Sequence, residues 1–569
     1  MRILWLMAAL AACGPNGREN GAGDDTPGGE TCPRCTDDNT GVVDCDGNAT
    51  QCPSDQSCSA GVCQSACAAA DANHSSIGCD YYAVDMDGAD GPPRGGCYAM
   101  FVANTSRANA HLNIAWDNIN QDLSRFAKIP QGSGQNLTYG PYDPNVGLAP
   151  GQVAIIFLVN VAGGGLPIPG AGPVACPVPA ALGSGVQLAG TGKGKAFHLT
   201  TDMPVVAYQM LPFGGGAAAA TGASLLIPTT AWGNNYVAVS ANDSDGPAPP
   251  IAVADGPSHN IVASEDNTTI TLRPKSNITA GGGLPAGTAN QPWSVTLNKG
   301  EYAQITQLAG LSGSPISSDK PIGVFGGHTI MSIDRCCGDH GEQMLAPVQA
   351  LGSVYVAAPH PDRKAPGEQR IYRIYGAVDG TSLTYDPPGM GPGQVALGEK
   401  LEIRTDQPFT VRSQDDAHPF SMFTYMTGSG EMGEGGVGDP DFVRLVPPPQ
   451  YLFHYVFFTD PTYPFTNLTV VRSKKDSIFY DVDLKCMGNI TEWKPVGTAG
   501  EYEIAHVKLV DHWNGVAGTC NNGIQEMTSS GPFGVWVWGW GSEDTSTGWV
   551  SYGYPAGEGI LPINDVIIY

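Results

Sequence analysis

The sequence predicts an all-β protein of about four tandem β-sandwich-like repeat units behind a small disulfide-rich module. A phrase made of a polar turn, a proline and an apolar strand recurs along the chain, and no segment carries a sustained 3.6-residue apolar stripe. In addition, 76 glycines and 46 prolines punctuate short apolar runs through all 569 residues.

The phrase is clearest at Ser318-Asp319-Lys320-Pro321-Ile322-Gly323-Val324-Phe325. Its relatives are Thr201-Asp202-Met203-Pro204-Val205, Thr405-Asp406-Gln407-Pro408-Phe409 and Ser529-Ser530-Gly531-Pro532-Phe533. Proline holds φ near its β value and gives up an N–H, so each copy reads as a strand entry. Upstream of each proline lies a Gly-Glu or Gly-Gln step, at Gly151-Gln152, Gly300-Glu301, Gly398-Glu399 and Gly500-Glu501. Further upstream come two strands around a polar turn, as in Ile261 to Ser264 with Thr268 to Leu272. Alternation of Trp293, Val295 and Leu297 with Ser294, Thr296 and Asn298 is the period of a half-buried strand. The approximate units are 68–240, 241–360, 361–460 and 461–569. A propeller-like arrangement, each unit supplying one sheet, is the alternative.

Before the units, residues 1–12 read as a signal peptide: Arg2 is followed by a short apolar core ending in Leu10-Ala11-Ala12-Cys13, a lipobox whose cysteine is the expected lipidation site. Residues 13–31 then form a lipidated Cys and a Gly-, Asp- and Asn-rich tether with little to bury. The membrane partner is therefore a lipid anchor, and the expected location is the outer membrane or cell surface. Of 15 cysteines, Cys13 leaves 14 as candidates for disulfides: Cys32, Cys35, Cys45, Cys52, Cys58, Cys63, Cys67, Cys79, Cys97, Cys176, Cys336, Cys337, Cys486 and Cys520. Seven of them crowd into residues 32–67, a module with too few large apolar residues to form a core. Because seven is odd, one thiol there is expected to pair with Cys79 or Cys97 and staple the module to the first unit. Cys486 and Cys520 flank the last Gly-Glu turn and are candidates for a bridge; other pairings stay open.

With 28 basic and 54 acidic residues the net charge is −26, which argues against nucleic acid as a partner. No Gly-x-Ser-x-Gly elbow, His-Glu-x-x-His or P-loop occurs, nor a dinucleotide fingerprint that follows a strand and opens a helix, so no catalysis and no cofactor are expected. The densest chemistry is His328 with Asp334, Cys336, Cys337, Asp339, His340, Glu342 and Gln343, read as a loop after the second proline strand. A disulfide-bearing loop whose histidines cap turns is the preferred reading, with no metal bound. A secreted metal-dependent hydrolase centred on His328, Asp339 and His340 is the rival. Asp85-Met86-Asp87-Gly88-Ala89-Asp90 reads as an acidic turn in place of half a calcium loop. Trp536, Trp538 and Trp540 alternate with Val535 and Val537, as in a strand buried on both faces.

The run from Ser318 through Gly326-Gly327-His328, Cys337, His340, Glu342-Gln343 and Pro347 to Gly352-Ser353-Val354-Tyr355 resembles the N-terminal domain of the IgG Fc-binding protein family, and Asp379 to Tyr385 continues the likeness. Family members place a cysteine directly after the histidine of the Gly-His step, where this chain has Thr329. The lipobox, the Cys-rich module and Gly78 to Val84 resemble surface proteins of myxobacteria-like bacteria. The resemblance implies a non-catalytic, lipid-anchored recognition or adhesion protein with a protein or glycan ligand; a structural envelope protein is a further alternative.

Overall fold

A computed structural model describes residues 32–569 apart from 37–38, 133–135, 166–173, 215–219, 244–255, 335–336, 365–366 and 434. Cys13 and the tether lie outside the described residues. The all-β class holds, and so does the repetition. One four-stranded antiparallel order is used four times. In the second unit it runs Glu301–Thr306, Pro257–Ala263, Pro315–Ser332, Gly338–Met344. The first unit places Val153–Val159, Tyr98–Asn104, Phe197–Leu211 and Gly222–Leu225 in the same order. The third uses Lys400–Thr405, Arg370–Gly376, Phe420–Met426 and Asp441–Arg444, and the fourth Tyr502–Asp511, Phe465–Ser473, Gly523–Trp540 and Ser551–Pro555.

A smaller sheet packs onto each of these, so the units are sandwich-like. In the second it contains Gly233–Val237, which moves the start of that unit ahead of the expected 241, and Thr268–Leu272, both paired with the first half of Pro315–Ser332. That long strand therefore belongs to both layers, and Pro321 sits at its corner. Pro408 stands directly before the strand Phe409–Arg412, but the other three prolines do not open strands as expected: Pro204, Pro321 and Pro532 lie inside long strands, at or beside breaks in the pairing register. A residue without an N–H is tolerated at the one position where the strand changes sheet. The third unit also corrects the repeat. Gly376 pairs with Phe420 as Ala263 pairs with Ile322, so the counterpart of Pro321 is Pro419 and not Pro408.

The Gly-Glu landmark has a local cause. Gly151, Gly300, Gly398 and Gly500 have φ of 69°, 78°, 66° and 69°, a left-handed turn that a side chain would strain. In three copies the next side chain caps the turn: Gln152, Glu301 and Glu399 accept from the backbone N–H of Ala149, Asn298 and Ala396 at 3.1, 2.8 and 2.8 Å.

The units close into a ring, which realises the propeller-like alternative with sandwich-like units as its parts. Closure shows in the cores, each of which straddles a seam. One joins Val102 and Phe197 of the first unit to Tyr302 and Phe325 of the second. Others join Ile261 to Phe442, and Tyr372 to Trp536 and Trp538. The fourth seam brings the last unit back to the first: Phe101 stacks on Phe458 at 4.7 Å and Tyr208 lies 4.7 Å from Tyr554. Trp536, Trp538 and Trp540 point into one seam while Val535 and Val537 point into the next, so this strand is buried on both faces. Backbone hydrogen bonds join the two ends of the ring. Ser76 N–H donates to Glu558 O at 2.8 Å, and Ile560 N–H to His74 O at 2.7 Å.

A tyrosine latch marks each unit's entry strand. Tyr81, Tyr236 and Tyr455 donate their hydroxyls to the carbonyls of Val205, Ile322 and Phe533, the residues just after the corner prolines, at 2.7, 2.6 and 2.6 Å. The hydroxyls of Tyr236, Tyr355 and Tyr455 accept from the backbone N–H three residues upstream.

Cys32–Cys45, Cys35–Cys58 and Cys52–Cys63 hold the N-terminal module, and Cys67–Cys79 ties it to the first unit. Cys97–Cys176 and Cys486–Cys520 lie within the first and fourth units. Cys337 is disulfide-bonded, and Cys336 lies outside the described residues. Such bonds persist in an oxidising compartment, as expected of a secreted or surface protein. No helix among the described residues is long and apolar enough to cross a membrane.

Candidate functional site

The inner strand of each unit faces the ring axis, and the axis gathers most of the chemistry that the sequence displays. Asp339, His340, Glu342 and Gln343 lie on the inner strand Gly338–Met344, every residue of which is buried. They are not a surface loop. Their polarity suggested one, but each of Asp339, Glu342 and Gln343 is engaged by a neighbouring unit. Asp339 accepts from Thr221 N–H of the first unit at 3.0 Å and from Ser551 N–H and Oγ of the fourth at 3.2 and 3.1 Å. Gln343 donates to Ala223 O and Gly553 O at 2.9 and 3.1 Å. Glu342 accepts from Gln209 at 2.7 Å, and Gln209 in turn accepts from Tyr98. The third unit adds Arg444, which donates to Met344 O at 3.2 Å and grips the buried Glu558 with both terminal nitrogens.

Burial sets the protonation of this axis. It pushes the carboxyls of Asp339 and Asp441 well up, with neighbouring carboxylates adding to the effect, and raises Asp439 to about 6. His328 is pushed down to about 3 by burial, with His340 adding to the effect, and its Nδ1 accepts from Ile330 N–H at 3.2 Å. Both oxygens of Asp339 are occupied by fixed donors, so it is not free to take a substrate proton. Among the described residues no three His, Cys, Asp or Glu side chains converge as metal ligands. The hydrolase reading has no support in this geometry. Of the expected acidic turn, Asp85 and Asp87 are likewise buried, and Asp90 is exposed. Arg94 and the backbone N–H of Gly190 bind Asp87 at 3.2 and 2.7 Å, and Gln187 donates to Asp85 at 3.2 Å. A guanidinium therefore sits beside the carboxylate that a calcium reading would need.

The open surface lies elsewhere, where the module meets the first and fourth units. Arg107 reaches from the first unit to donate one terminal nitrogen to Cys52 O, Pro53 O and Gln56 O at 3.1, 3.0 and 2.9 Å. Beside this clamp runs a groove of about 680 Å³, lined by Ser54 and Ser57 of the module, Thr105 and Arg107, and Phe453, His454, Asp481, Asp483 and Glu526 of the fourth unit. Glu526 is held low by Lys485 and His454, which lie 2.6 and 3.3 Å away. Sequence reasoning singled out none of these residues, because they come from segments hundreds of positions apart.

The model of the family described as IgGFc binding protein matches residues 222–539, more than half of the chain. The chain belongs to the IgGFc binding protein family. Its match begins at the inner strand of the first unit and spans the second, third and most of the fourth. The rest of the first unit, outside the match, repeats the same strand order. Among curated proteins the human IgGFc-binding protein is 25% identical over 253 residues, 44% of this chain. That stretch is 4% of the human protein's length.

Proposed function

We propose that this protein is a non-catalytic, lipid-anchored recognition protein of the cell surface that binds a protein ligand in the groove between module and ring. The observation that carries it is the division of labour in the fold: the axial polar groups are buried, with Asp339, Gln343 and Arg444 held by hydrogen bonds to other units, while the module holds an open, mixed-charge groove at the seam. Such a groove, with Phe453 among acidic side chains, suits a polypeptide segment carrying basic residues. The human relative's name supports a protein ligand of the immunoglobulin Fc kind. The disulfides and the lipobox at Cys13 support export and anchoring.

The test is biolayer interferometry of the intact chain against an array of immobilised proteins that includes IgG Fc. Saturable binding to a member, weakened at least tenfold by Asp481→Lys with Asp483→Lys, is the expected result. Absence of any saturable protein ligand returns the structural envelope reading. Anchoring is tested separately: Cys13→Ala should move the protein from the membrane fraction to the soluble one, and unchanged fractionation would refute the anchor.

A further inference from the structure

Three of the four units have the outer edge of their main sheet covered by an added strand, and the third does not. In the first unit Ala127–Gln131 pairs with Val153–Val159, in the second Gly192–Lys195 pairs with Glu301–Thr306, and in the fourth Lys494–Val496 pairs with Tyr502–Asp511. The equivalent strand of the third unit, Lys400–Thr405, pairs with Arg370–Gly376, and among the described residues no strand lies on its other side. Gly398-Glu399 aligns with Gly300-Glu301, so Glu402 stands where Gln304 does and Arg404 where Thr306 does. Ladder bonds alternate along an antiparallel strand, and every second residue turns its N–H and C=O outward. Gly376 N–H donates to Glu399 O and Gly398 N–H to Gly376 O, which puts Glu402 and Arg404 in the outward set. In the second unit the corresponding groups are taken: the Thr191 hydroxyl donates to Thr306 O at 3.0 Å and accepts from Thr306 N–H at 3.3 Å. Gln304, opposite Gly192, is buried; Glu402 and Arg404 are exposed.

This bare edge is held in place from both faces. On the exposed face both terminal nitrogens of Arg404 donate to Asp334 at 2.7 and 2.9 Å, its Nε donates to Glu402 at 2.9 Å, and Glu402 also accepts from Arg373 at 3.1 Å. On the other face Leu401 and Ile403 are packed in the core that joins the third and fourth units. An ordered strand with an open row of backbone donors and acceptors is the geometry by which a sheet takes up an extended peptide. The three covers indicate its chemistry. Two place a lysine opposite the position of Glu402: Lys128 opposite Ile155, and Lys494 opposite Ile504. In the remaining one Gly192 is opposite and Lys193 follows, and none of the three carries an acidic residue. Opposite an isoleucine such a lysine gains no charge partner, whereas opposite Glu402 it meets a carboxylate with room for a further donor. We propose that Lys400–Thr405 is a docking edge that takes an extended, lysine-bearing segment of a protein partner as an added strand. The net charge of −26 favours the approach of such a segment. This edge is separate from the groove and does not rest on it.

The experiment titrates the full chain with a short fluorescein-labelled peptide of alternating valine and threonine around one central lysine, read by fluorescence polarisation. Saturable binding is expected. N-methylation of alternate peptide residues removes one row of amide N–H groups; methylating one row should weaken binding at least tenfold and methylating the other should leave it unchanged. Because that change is made in the peptide, the protein's folding is not at stake. A central glutamate in place of the lysine should weaken binding at least fivefold, and Glu402→Lys should reverse the preference. Equal effects of the two methylated rows, or no saturable binding, overturns the docking edge. So does binding that disappears in Asp481→Lys with Asp483→Lys, which puts the peptide in the groove. Concentration-dependent dimers in light scattering that Arg404→Pro abolishes would seat a second copy of the chain on the edge and overturn the partner reading.

Discussion

The centre of the ring and the module at its edge solve the same problem, keeping polar chain folded, by opposite means. On the axis, Asp339 is held by donors from two other units, and Arg444 and Glu558 form a fully buried pair. At the edge, residues 32–67 have little apolar side chain to bury, and three disulfides replace a core. Polar groups satisfied across units make the ring one cooperative body; covalent links make the module a body of its own. Disturbing the axis should therefore unfold everything, and disturbing the edge should release only the module.

The largest expected effect is from Arg444→Met, which leaves Glu558 buried and unpaired. About 3–5 kcal/mol of stability should be lost, seen as one lowered transition in calorimetry; a merely local change would break the comparison. Next is Cys67→Ser with Cys79→Ser. This removes the module's covalent tie, worth about 3 kcal/mol by the chain-entropy estimate for a short loop. Limited proteolysis should then cut within residues 32–77 while the ring's transition stays in place. Arg107→Ala removes three hydrogen bonds from the same docking and should cost about 1–2 kcal/mol, raising hydrogen exchange in the module alone. If it lowers the ring's transition as far as Arg444→Met does, edge and axis are not separate.

The smallest effect sharpens the picture of the axis by pH. Asp439 has its folded pKa raised to about 6 from 3.8, so its contribution is complete below 3.8 and is lost as pH rises through 6. His328 and His259, pushed down to about 3 and 4 from 6.5, contribute fully above 6.5 and lose that stability as pH falls. The two trends oppose each other between about pH 4 and 6.5. Asp439→Asn keeps the acceptor used by Ser429 and Cys337 N–H but does not titrate. Its thermal stability should fall less than the parent's from pH 5 to 8; parallel profiles would mean that Asp439 is not a buried acid.

Much of this architecture is legible in the residues. Gly300-Glu301 and its relatives announce a left-handed turn with a capping carboxylate, and the Trp536 strand announces burial on both faces. The spacing of Pro228, Gly233 and Tyr236, repeated at Pro347, Gly352 and Tyr355, was an available signal for the tyrosine latch and the unit crossings. It identifies the latch more surely than the prolines, since Pro408 and Pro419 compete for one place in the third unit. The strand Gly338–Met344 was not legible as a strand. Asp, His, Glu and Gln in a row look like a solvated loop unless the partners that desolvate them are known.

The sequence by itself determined the all-β class, the fourfold repetition, the turns and the disulfide-dependent module, because these rest on backbone preferences and side-chain periodicity within a few residues. Only the tertiary structure decided that the units close into a ring, that its axis is polar and sealed, and that an open groove lies where the module meets it. Those outcomes depend on which surfaces meet across hundreds of residues, and a buried Asp339 differs from an exposed one only in what the other units place around it.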